Sequence, residues 1–297
     1  MTLVHFKLLL TAILWGGTFI AGRIIAQEIK PFSAAFLRFV CASLFLLIFI
    51  TRKEGKLLFP GWKTLGLLTL LGLTGIFSYN FFFFSGLKHI NAGRAAIIIA
   101  TNPIFITLLS VIFFREKISW LKILGILISV SGAILVISRG HIQDIASRIG
   151  KGEVFIFLCV FSWVIYSLLG KVVMVKISPL LAVTYSSLIG SFLLFFPSME
   201  ESLFSQIEKY SLVAWFSILY LGFFGTVLGF LWYYEGIKKI GPMKSSIFIN
   251  FVPISAILLS FFLLGEPLSS VLFFGAIMVI AGIYLTNTSK FRERQRI

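Results

Sequence analysis

The chain has 297 residues, of which 59% are hydrophobic and only 12% are charged, and its mean hydropathy is +1.03. This composition excludes an ordinary water-soluble domain, in which roughly a quarter of the residues are charged. The formal net charge is +15. A basic balance of this size also suits nucleic-acid binding, but we expect no nucleic-acid partner, because Lys and Arg concentrate beside membrane spans for topological reasons.

Ten apolar runs follow one another along the chain, and each is about as long as the ~20-residue helix that crosses a bilayer. They cover approximately residues 6–26, 33–50, 63–84, 92–114, 120–138, 152–171, 179–197, 213–234, 243–264 and 269–287. The runs are continuously apolar, which favours helices over the alternating strands of a transmembrane barrel. The first run lacks a small-residue cleavage site behind it, so we interpret it as a retained helix. The sequence predicts an all-α polytopic membrane protein with ten transmembrane helices.

The second half of the chain repeats the first. Residues 75–137 align without a gap on residues 225–287 at an offset of 150, and upstream positions align at an offset of 148. Aligned pairs are Trp15 with Trp163, Pro31 with Pro179, Gly75 with Gly225, Pro103 with Pro253, and Glu116 with Glu266. We therefore divide the chain into a first five-helix repeat, 1–140, a second, 150–290, and a basic tail, 291–297. Because five is odd, the second repeat enters the membrane inverted, which is typical of alternating-access transporters.

The distribution of Lys and Arg predicts the orientation. With the N-terminus in the cytoplasm, seventeen basic residues lie on the inner side, eight lie on the outer side, and Arg38 lies within a span. An excess of Lys and Arg marks the cytoplasmic side of a membrane protein. We expect a multi-pass protein of a bacterial-type inner membrane with both termini in the cytoplasm, its basic tail anchored at the inner leaflet.

Residue types that membrane-bound catalysis needs are scarce. Asp144 is the single Asp, so an aspartate cluster for magnesium is missing, and no His falls at bilayer depth to activate a serine. Cys41 and Cys159 both fall inside apolar spans and suggest neither a disulfide nor a metal site. We expect no enzymatic activity, cofactor or metal, and a small-molecule substrate and the lipid bilayer as partners. The sequence sets no oligomeric state, and a monomer is compatible with it.

Two prolines fall at equivalent points near the middle of the fourth and ninth predicted spans. Pro103 and Pro253 each free a backbone carbonyl one turn earlier, and in a membrane that carbonyl needs a neighbour or water. Thr101, Asn102 and Asn250 are close to them in the sequence. Two interpretations stay open: a helix that bends around a polar cavity, or a packing kink with local hydrogen bonds.

Arg38 falls within the second predicted span, where a charge must pair, reach the interface or face a watery interior. It either binds a substrate carboxylate or holds neighbouring helices together through their carbonyls. We favour a structural or gating role, and its counterpart in the second repeat is Ser186. Gly16 and Gly17 permit either flexing of the first span at a gate or close helix packing.

Aromatic side chains are abundant, and most of the 34 Phe residues must face lipid or pack between helices. A smaller set of aromatic and polar residues falls where the repeat places facing walls, and such a lining suits amphipathic metabolites. Besides Thr101, Asn102 and Asn250, these cavity candidates are Trp15, Thr18, Tyr79, Asn80, Trp163, Tyr166, Trp232 and Tyr233.

The ordered motifs of the two halves resemble those of the drug/metabolite transporter superfamily, of the ten-span type built from two EamA repeats. In the first half they are WGG at 15–17, PFSAAFLRF at 31–39, GLKHINAGRAAIIIATNPIF at 86–105 and FFREKISWLKILGILISVSGAILVIS at 113–138. In the second half they are GPMKSSIFINFVPISAILLSFFLLGEPLSS at 241–270 and GAIMVIAGIYL at 275–285. The resemblance covers nearly the whole chain.

The resemblance implies a central cavity between the halves, with spans five and ten at the periphery and amino acids or other small metabolites as cargo, often exported. Positions that match recurrent family residues are Trp15, Arg38, Pro103, Glu116, Trp163, Pro253 and Glu266. We interpret the two glutamates as helix-boundary residues. Small four-span relatives carry a mid-membrane carboxylate, and this sequence has none at that position, so the coupling ion stays undetermined.

We therefore expect a secondary transporter that exposes a midplane cavity alternately to the two sides and exports amino acids or related compounds. Export of amphipathic drugs or toxic compounds is the alternative within transport, since an aromatic lining accepts them too. A channel or a non-transporting membrane scaffold is the alternative from another class. Saturable flux with exchange distinguishes a carrier from both.

Overall fold

The computed structural model describes residues 3–55, 57, 59–114, 120–137 and 149–293, which form ten long helices and no strand. In chain order the helices are α1 (Leu3–Glu28), α2 (Pro31–Lys53), α3 (Trp62–His89), α4 (Ala92–Ile99 continued by Asn102–Phe114), α5 (Trp120–Ile137), α6 (Lys151–Val173), α7 (Pro179–Glu200), α8 (Leu212–Ile240), α9 (Pro242–Leu264) and α10 (Ser270–Glu293). Glu116 and the end of the predicted basic tail, 294–297, lie outside the described residues.

Eight of the described helices, α1 to α4 and α6 to α9, are long and apolar enough to cross a membrane, with mean hydropathies from 1.6 to 2.4. In α5 and α10 the described apolar parts are shorter, Ile123–Val136 and Ser270–Gly282. The prediction of an all-α polytopic membrane protein with two five-helix repeats is confirmed. Helices α3 and α8 extend beyond the predicted spans 63–84 and 213–234, because their polar last turns continue the helix past the apolar stretch.

Equivalent residues of the two repeats meet each other at the centre of the molecule. The hydroxyl oxygens of Ser43 in α2 and Ser191 in α7 lie 3.5 Å apart, and the ring centroids of Trp15 in α1 and Trp163 in α6 lie 5.2 Å apart. Residues that a two-fold operation interchanges can contact each other only near its axis. The pseudo-two-fold axis between the repeats therefore passes close to these two pairs.

Helices α5 and α10 form a tight pair through small residues. A Cβ added at Gly132 would lie 2.8 Å from the carbonyl oxygen of Gly275, and one added at Gly282 would overlap the backbone of Gly125 and Ser129. Small residues let two backbones approach closely, which is the usual basis of helix association in lipid.

Helices α3 and α8 each contain a π-helical stretch, at Gly72–Ser78 and Leu221–Leu228. A π-helical stretch widens the turn and frees backbone carbonyls, and such stretches are frequent at functional sites. The two stretches fall at equivalent points of the repeats. The sequence does not reveal them, because one widened turn leaves the apolar pattern of a lipid-embedded helix unchanged.

Helices α4 and α9 are interrupted at the prolines that the sequence singled out. Pro103 is the second residue of the segment Asn102–Phe114. Pro253 is the second residue of the last α-helical part of α9, Val252–Leu264, which follows a 3-10 turn at Ile247–Phe251. The carbonyl that Pro103 frees belongs to Ile99, and it accepts a hydrogen bond from Asn102 Nδ2 at 2.9 Å. Each proline thus lies in the first turn of a new helical segment.

Candidate functional site

A small cavity lies between the two repeats, beside the Trp15–Trp163 contact. Its free volume is about 20 Å³, which is enough for a single water, so this conformation leaves no room for a larger molecule. The lining residues come from α1, α2, α3, α4, α6, α8 and α9: Trp15, Thr18, Phe19, Arg38, Tyr79, Phe83, Ile99, Asn102, Trp163, Phe230, Ile249 and Val252.

Six residues that the sequence singled out line this cavity. They are Trp15, Thr18, Arg38, Tyr79, Asn102 and Trp163. The remaining cavity candidates do not line it: Asn80, Thr101, Tyr166, Trp232, Tyr233 and Asn250. Trp232 is half-buried, one residue before the fully packed Tyr233, so the helical turn of α8 directs it elsewhere.

The apolar residues that line the cavity were not among the candidates predicted from the sequence. The missed residues are Phe19, Phe83, Ile99, Phe230, Ile249 and Val252. The repeat carried a usable signal for some of them, since Ile249 is the equivalent of Ile99, and Val252 is the equivalent of Asn102. Their aliphatic and aromatic types alone did not distinguish them from lipid-facing residues.

Aromatic rings form the wall on the side of α6 and α8. Trp15 meets Trp163 edge-on, and Phe230 contacts both, with centroid distances of 6.1 and 5.0 Å. The indole nitrogen of Trp15 donates a hydrogen bond to the carbonyl oxygen of Gly225 at 2.9 Å. This bond fixes the Trp15 ring against the second repeat, because a buried indole N–H otherwise lacks a partner.

A second layer of tyrosines supports that wall. The rings of Tyr166 and Tyr233 lie 5.3 and 5.5 Å from Trp163. Their hydroxyl groups contact the hydroxyl groups of Ser186 and Ser167 at 3.4 and 3.2 Å, away from the cavity lining. These two tyrosines therefore pack behind the tryptophans and do not line the cavity.

Arg38 is 2% exposed and lies at the junction of both repeats. Its Nε donates to Thr226 Oγ1 at 3.0 Å, and its Nη1 donates to Asn80 Oδ1 at 2.8 Å. The guanidinium also lies 5.2 and 5.9 Å from the ring centroids of Phe39 and Phe230, within cation–π range. Only neutral groups surround this charge among the residues that the structure describes.

The two π-helical stretches orient the groups that hold Arg38. Asn80 Nδ2 donates to the carbonyl oxygen of Ile76 at 2.8 Å, which turns its Oδ1 towards the arginine. Thr226 Oγ1 donates to the carbonyl oxygen of Leu221 at 2.9 Å and so presents its lone pairs to Nε. These carbonyls lie in the widened turns, so the π-helical stretches indirectly hold Arg38 in position through Asn80 and Thr226.

Asn102 contributes one free acceptor to the cavity. Its Nδ2 is taken up by the Ile99 carbonyl, whereas its buried Oδ1 accepts no hydrogen bond from the described part of the chain. Thr101 Oγ1 donates to the carbonyl oxygen of Ile98 at 2.7 Å and has a local role. Asn250 Oδ1 likewise lacks a donor within the described residues, although Asn250 does not line the cavity.

Gly16 and Gly17 lie at close contacts of α1, which is helical without a break from Leu3 to Glu28. A Cβ at Gly16 would overlap the hydroxyl group of Ser255, and a Cβ at Gly17 would overlap that of Tyr220. Tyr220 in turn donates to the carbonyl oxygen of Leu14 at 2.8 Å. Of the two interpretations left by the sequence, close packing is the one that these contacts support.

Carboxylates close the membrane face at which α1 ends, here named the Glu28 face. Glu201 accepts hydrogen bonds from the backbone nitrogens of Phe32 and Ser33, and Glu266 does so from Ala92 and Gly93. Each carboxylate thus caps a helix of the other repeat, where helix N-termini favour negative charge.

Ion pairs join the repeats at both faces. At the Glu28 face Arg94 Nη2 lies 2.7 Å from Glu153 Oε1, and both side chains are largely buried. At the opposite face, named the Lys7 face, Lys7 Nζ lies 2.6 Å from Glu235 Oε2, and both side chains are about a quarter exposed. The ion pair at the Glu28 face is therefore the more deeply buried of the two.

Comparison with known proteins agrees with this architecture. The model of the EamA-like transporter family matches residues 2–138 and 150–288. An uncharacterized transporter of Bacillus subtilis (strain 168), YyaM, is 32% identical over 281 residues, which cover 94% of this chain and 92% of that protein. An uncharacterized transporter of Archaeoglobus fulgidus is 32% identical over 279 residues, which cover 94% of this chain and 96% of that protein.

Solved structures include one with the same fold. A crystal structure superposes with a TM-score of 0.68 over 96% of both chains at 18% sequence identity. This likeness bears on the fold alone. The two family matches lie on the two structural repeats and together take up most of the chain. The chain therefore belongs to the EamA-like transporter family.

Proposed function

We propose that this protein is a secondary transporter that works by alternating access and exports amino acids or related small metabolites. The observation that carries the proposal is the cavity between the repeats, with both repeats contributing to its walls. A site at the interface of two inverted repeats can open to either side when one repeat rocks against the other.

The cross-repeat contacts support this mechanism. The Arg94–Glu153 pair and the Lys7–Glu235 pair lie at opposite faces and join the same two repeats. Opening one face breaks the contacts there and leaves those of the other face intact. Two such sets of contacts fit a carrier better than a channel, which needs one continuous path, or a scaffold, which needs no cavity.

The lining also bears on cargo. Its aromatic rings suit an apolar body, and the alternative of exporting amphipathic drugs rests on the same rings. The buried charge of Arg38 repels cationic amphipaths, because charges attract or repel strongly where water is excluded. We therefore keep amino acids and related metabolites as the preferred cargo and restrict the alternative to neutral or anionic compounds.

We further propose a bacterial-type inner membrane as the location, with the Lys7 face and both termini in the cytoplasm. The excess of Lys and Arg on that side of the sequence supports this orientation. A non-enzymatic role accords with the relatives above, which are named as transporters.

Exchange in proteoliposomes tests the proposal. Vesicles containing the purified protein are preloaded with a mixed pool of amino acids and metabolites, and the loss of each compound is compared with that from protein-free vesicles. We expect saturable, stereoselective loss that accelerates when the same compound is added outside. Flux without such acceleration would indicate a channel, and the absence of selective loss from folded, inserted protein would contradict transport of these compounds.

A further inference from the structure

We propose that Arg38 binds the carboxylate of the substrate and that Asn102 accepts a hydrogen bond from a donor next to that carboxylate. The substrate class is thus a small monocarboxylate with an adjacent amino or hydroxyl group and an apolar body. This inference rests on the proposed transport function and specifies what its cavity recognises.

The charge of Arg38 is the first argument. A guanidinium stays protonated at all physiological pH values, and burying it without a counter-charge is costly. Arg38 forms no ion pair within the described residues, whose three salt bridges all involve other basic side chains. Thr226 and Asn80 provide hydrogen bonds and no negative charge. A substrate carboxylate would supply the missing charge.

The free donor is the second argument. Nε and Nη1 are held by Thr226 and Asn80, whereas Nη2 donates to no residue in the described ranges. Nη2 lies beside Gly225, where an added Cβ would be 3.5 Å away. An arginine that served only to join helices would direct its donors at protein oxygens. This one is held at two nitrogens and leaves the third for a ligand of the cavity that Arg38 lines, as a preorganised recognition group does.

The unsatisfied acceptor is the third argument. Asn102 is 1% exposed, lines the same cavity as Arg38, and has an Oδ1 without a donor among the described residues. A buried acceptor left without a partner destabilises the protein. A substrate amino or hydroxyl group would satisfy it. Donor and acceptor therefore line one cavity with the rings of Trp15 and Trp163, which suit an apolar body.

The second repeat carries different residues at the positions equivalent to Arg38 and Asn102. Ser186 takes the place of Arg38 in the second repeat, and its hydroxyl group lies 3.4 Å from that of Tyr166. Val252 takes the place of Asn102 and lines the cavity as an apolar residue. The cavity thus has one polar side and one apolar side, which orients an amphipathic substrate.

Binding to the purified wild-type protein tests the inference without any variant. The probes are phenylalanine, 3-phenyllactate, phenylalaninamide, 3-phenylpropionate and 3-phenylpropionamide, and leucine with leucinamide covers a smaller body. Quenching of tryptophan fluorescence and thermal stabilisation report binding. We expect phenylalanine, 3-phenylpropionate and leucine each to bind at least about tenfold more tightly than the corresponding amide, because the amide leaves the buried charge unneutralised. Equal binding within the pairs, or no binding by any probe, would overturn the inference.

Substitutions of Arg38 and Asn102 test whether these residues cause the preference for carboxylates and for an adjacent donor. Arg38→Gln should abolish the carboxylate preference, Arg38→Lys should retain part of it, and Asn102→Leu should remove the advantage of phenylalanine and 3-phenyllactate over 3-phenylpropionate. Arg23→Gln is the matched control, since Arg23 lies at the Glu28 face with its guanidinium bonded to the Leu87 carbonyl. A preference that persists in Arg38→Gln contradicts the assignment.

Flux separates this inference from the proposed function. Binding with the carboxylate preference but without exchange in proteoliposomes would refute transport and leave the recognition intact. Exchange that proceeds equally for carboxylates and amides would refute the recognition and leave transport intact.

Discussion

At the scale of single residues, two equivalent glycines decide how closely α3 and α8 approach α6 and α1. A Cβ at Gly75 would overlap the Tyr166 ring, and a Cβ at Gly225 would lie 2.7 Å from Thr18 Cγ2. Tyr166 and Thr18 are themselves equivalent positions. One contact of the fold therefore occurs twice, with a large ring in one copy and a small side chain in the other.

Gly75→Ala should destabilise the protein by about 1–3 kcal/mol, because the buried Tyr166 ring cannot move aside without disturbing Tyr234 and Ser186. Thermal unfolding in detergent measures the effect as a lower Tm. Gly66→Ala in the same helix is the control, since nothing lies within 4 Å of the added carbon. An equal Tm for both variants would contradict the packing argument.

Substitutions in the cavity lining should lower flux. Trp163→Ala removes the ring that joins Trp15 to Phe230, and Asn102→Ala removes the free acceptor. We expect exchange in proteoliposomes to fall roughly tenfold for each, with insertion retained. Trp62→Ala provides the control, because its side chain is 79% exposed at the start of α3. Normal flux in both lining variants would count against the cavity as the binding site.

At the scale of helices, carboxylates of one repeat cap N-termini of the other. Helix α2 starts at Pro31 and has no cap from its own N-cap residue, Lys30. Glu201, just past the end of α7, fills that role across the repeat boundary. Burial, together with the negative charges of Glu201 and Glu28, raises the pKa of the nearby Tyr210. The Glu28 face thus gathers acidic groups around helix starts.

Glu201→Ala should weaken the start of α2 by roughly 1 kcal/mol, the usual size of a lost cap. Hydrogen exchange at the amides of Phe32 and Ser33 should then accelerate about fivefold, since local opening costs less free energy. Glu200→Ala is the matched control, because the neighbouring Glu200 is exposed. Unchanged exchange in Glu201→Ala would show that the cap is not needed.

At the scale of the whole molecule, the two faces are not equivalent even though the repeats are. By the repeat, Arg94 is equivalent to Lys244 and its partner Glu153 is equivalent to His5. Lys7 is equivalent to Phe155, and its partner Glu235 is equivalent to Ser85. Each face is therefore closed by its own chemistry. Differences of this kind allow one face to open more readily than the other.

Cysteine labelling of intact cells checks the orientation. In a Cys41→Ala, Cys159→Ala background, Glu208→Cys should react with a membrane-impermeant maleimide, and Lys239→Cys should react only after permeabilisation. Both positions are exposed and lie at opposite faces. The expectation follows from the excess of Lys and Arg on the Lys7 face. The reverse pattern would place both termini outside.

Most of the fold and part of the candidate site could be predicted from the sequence. Hydropathy located ten helices, because lipid demands long apolar stretches whatever their neighbours are. The repeat located Trp15 and Trp163 at facing positions, because equivalent residues near a two-fold axis must meet. Phe19, Phe83 and Phe230 were not predicted to line the cavity, because residue type and spacing do not distinguish a phenylalanine that lines a cavity from one that faces lipid.

By itself the sequence determined the membrane class, the duplicated architecture, the family and the presence of one intramembrane charge, since hydropathy, repetition and charge are properties of the chain. Only the tertiary structure decided which residues share a cavity. The π-helical stretches of α3 and α8, which turn Asn80 and Thr226 towards Arg38, depend on contacts between helices far apart in the chain. Such contacts come from packing, which the apolar pattern of a membrane helix does not encode residue by residue.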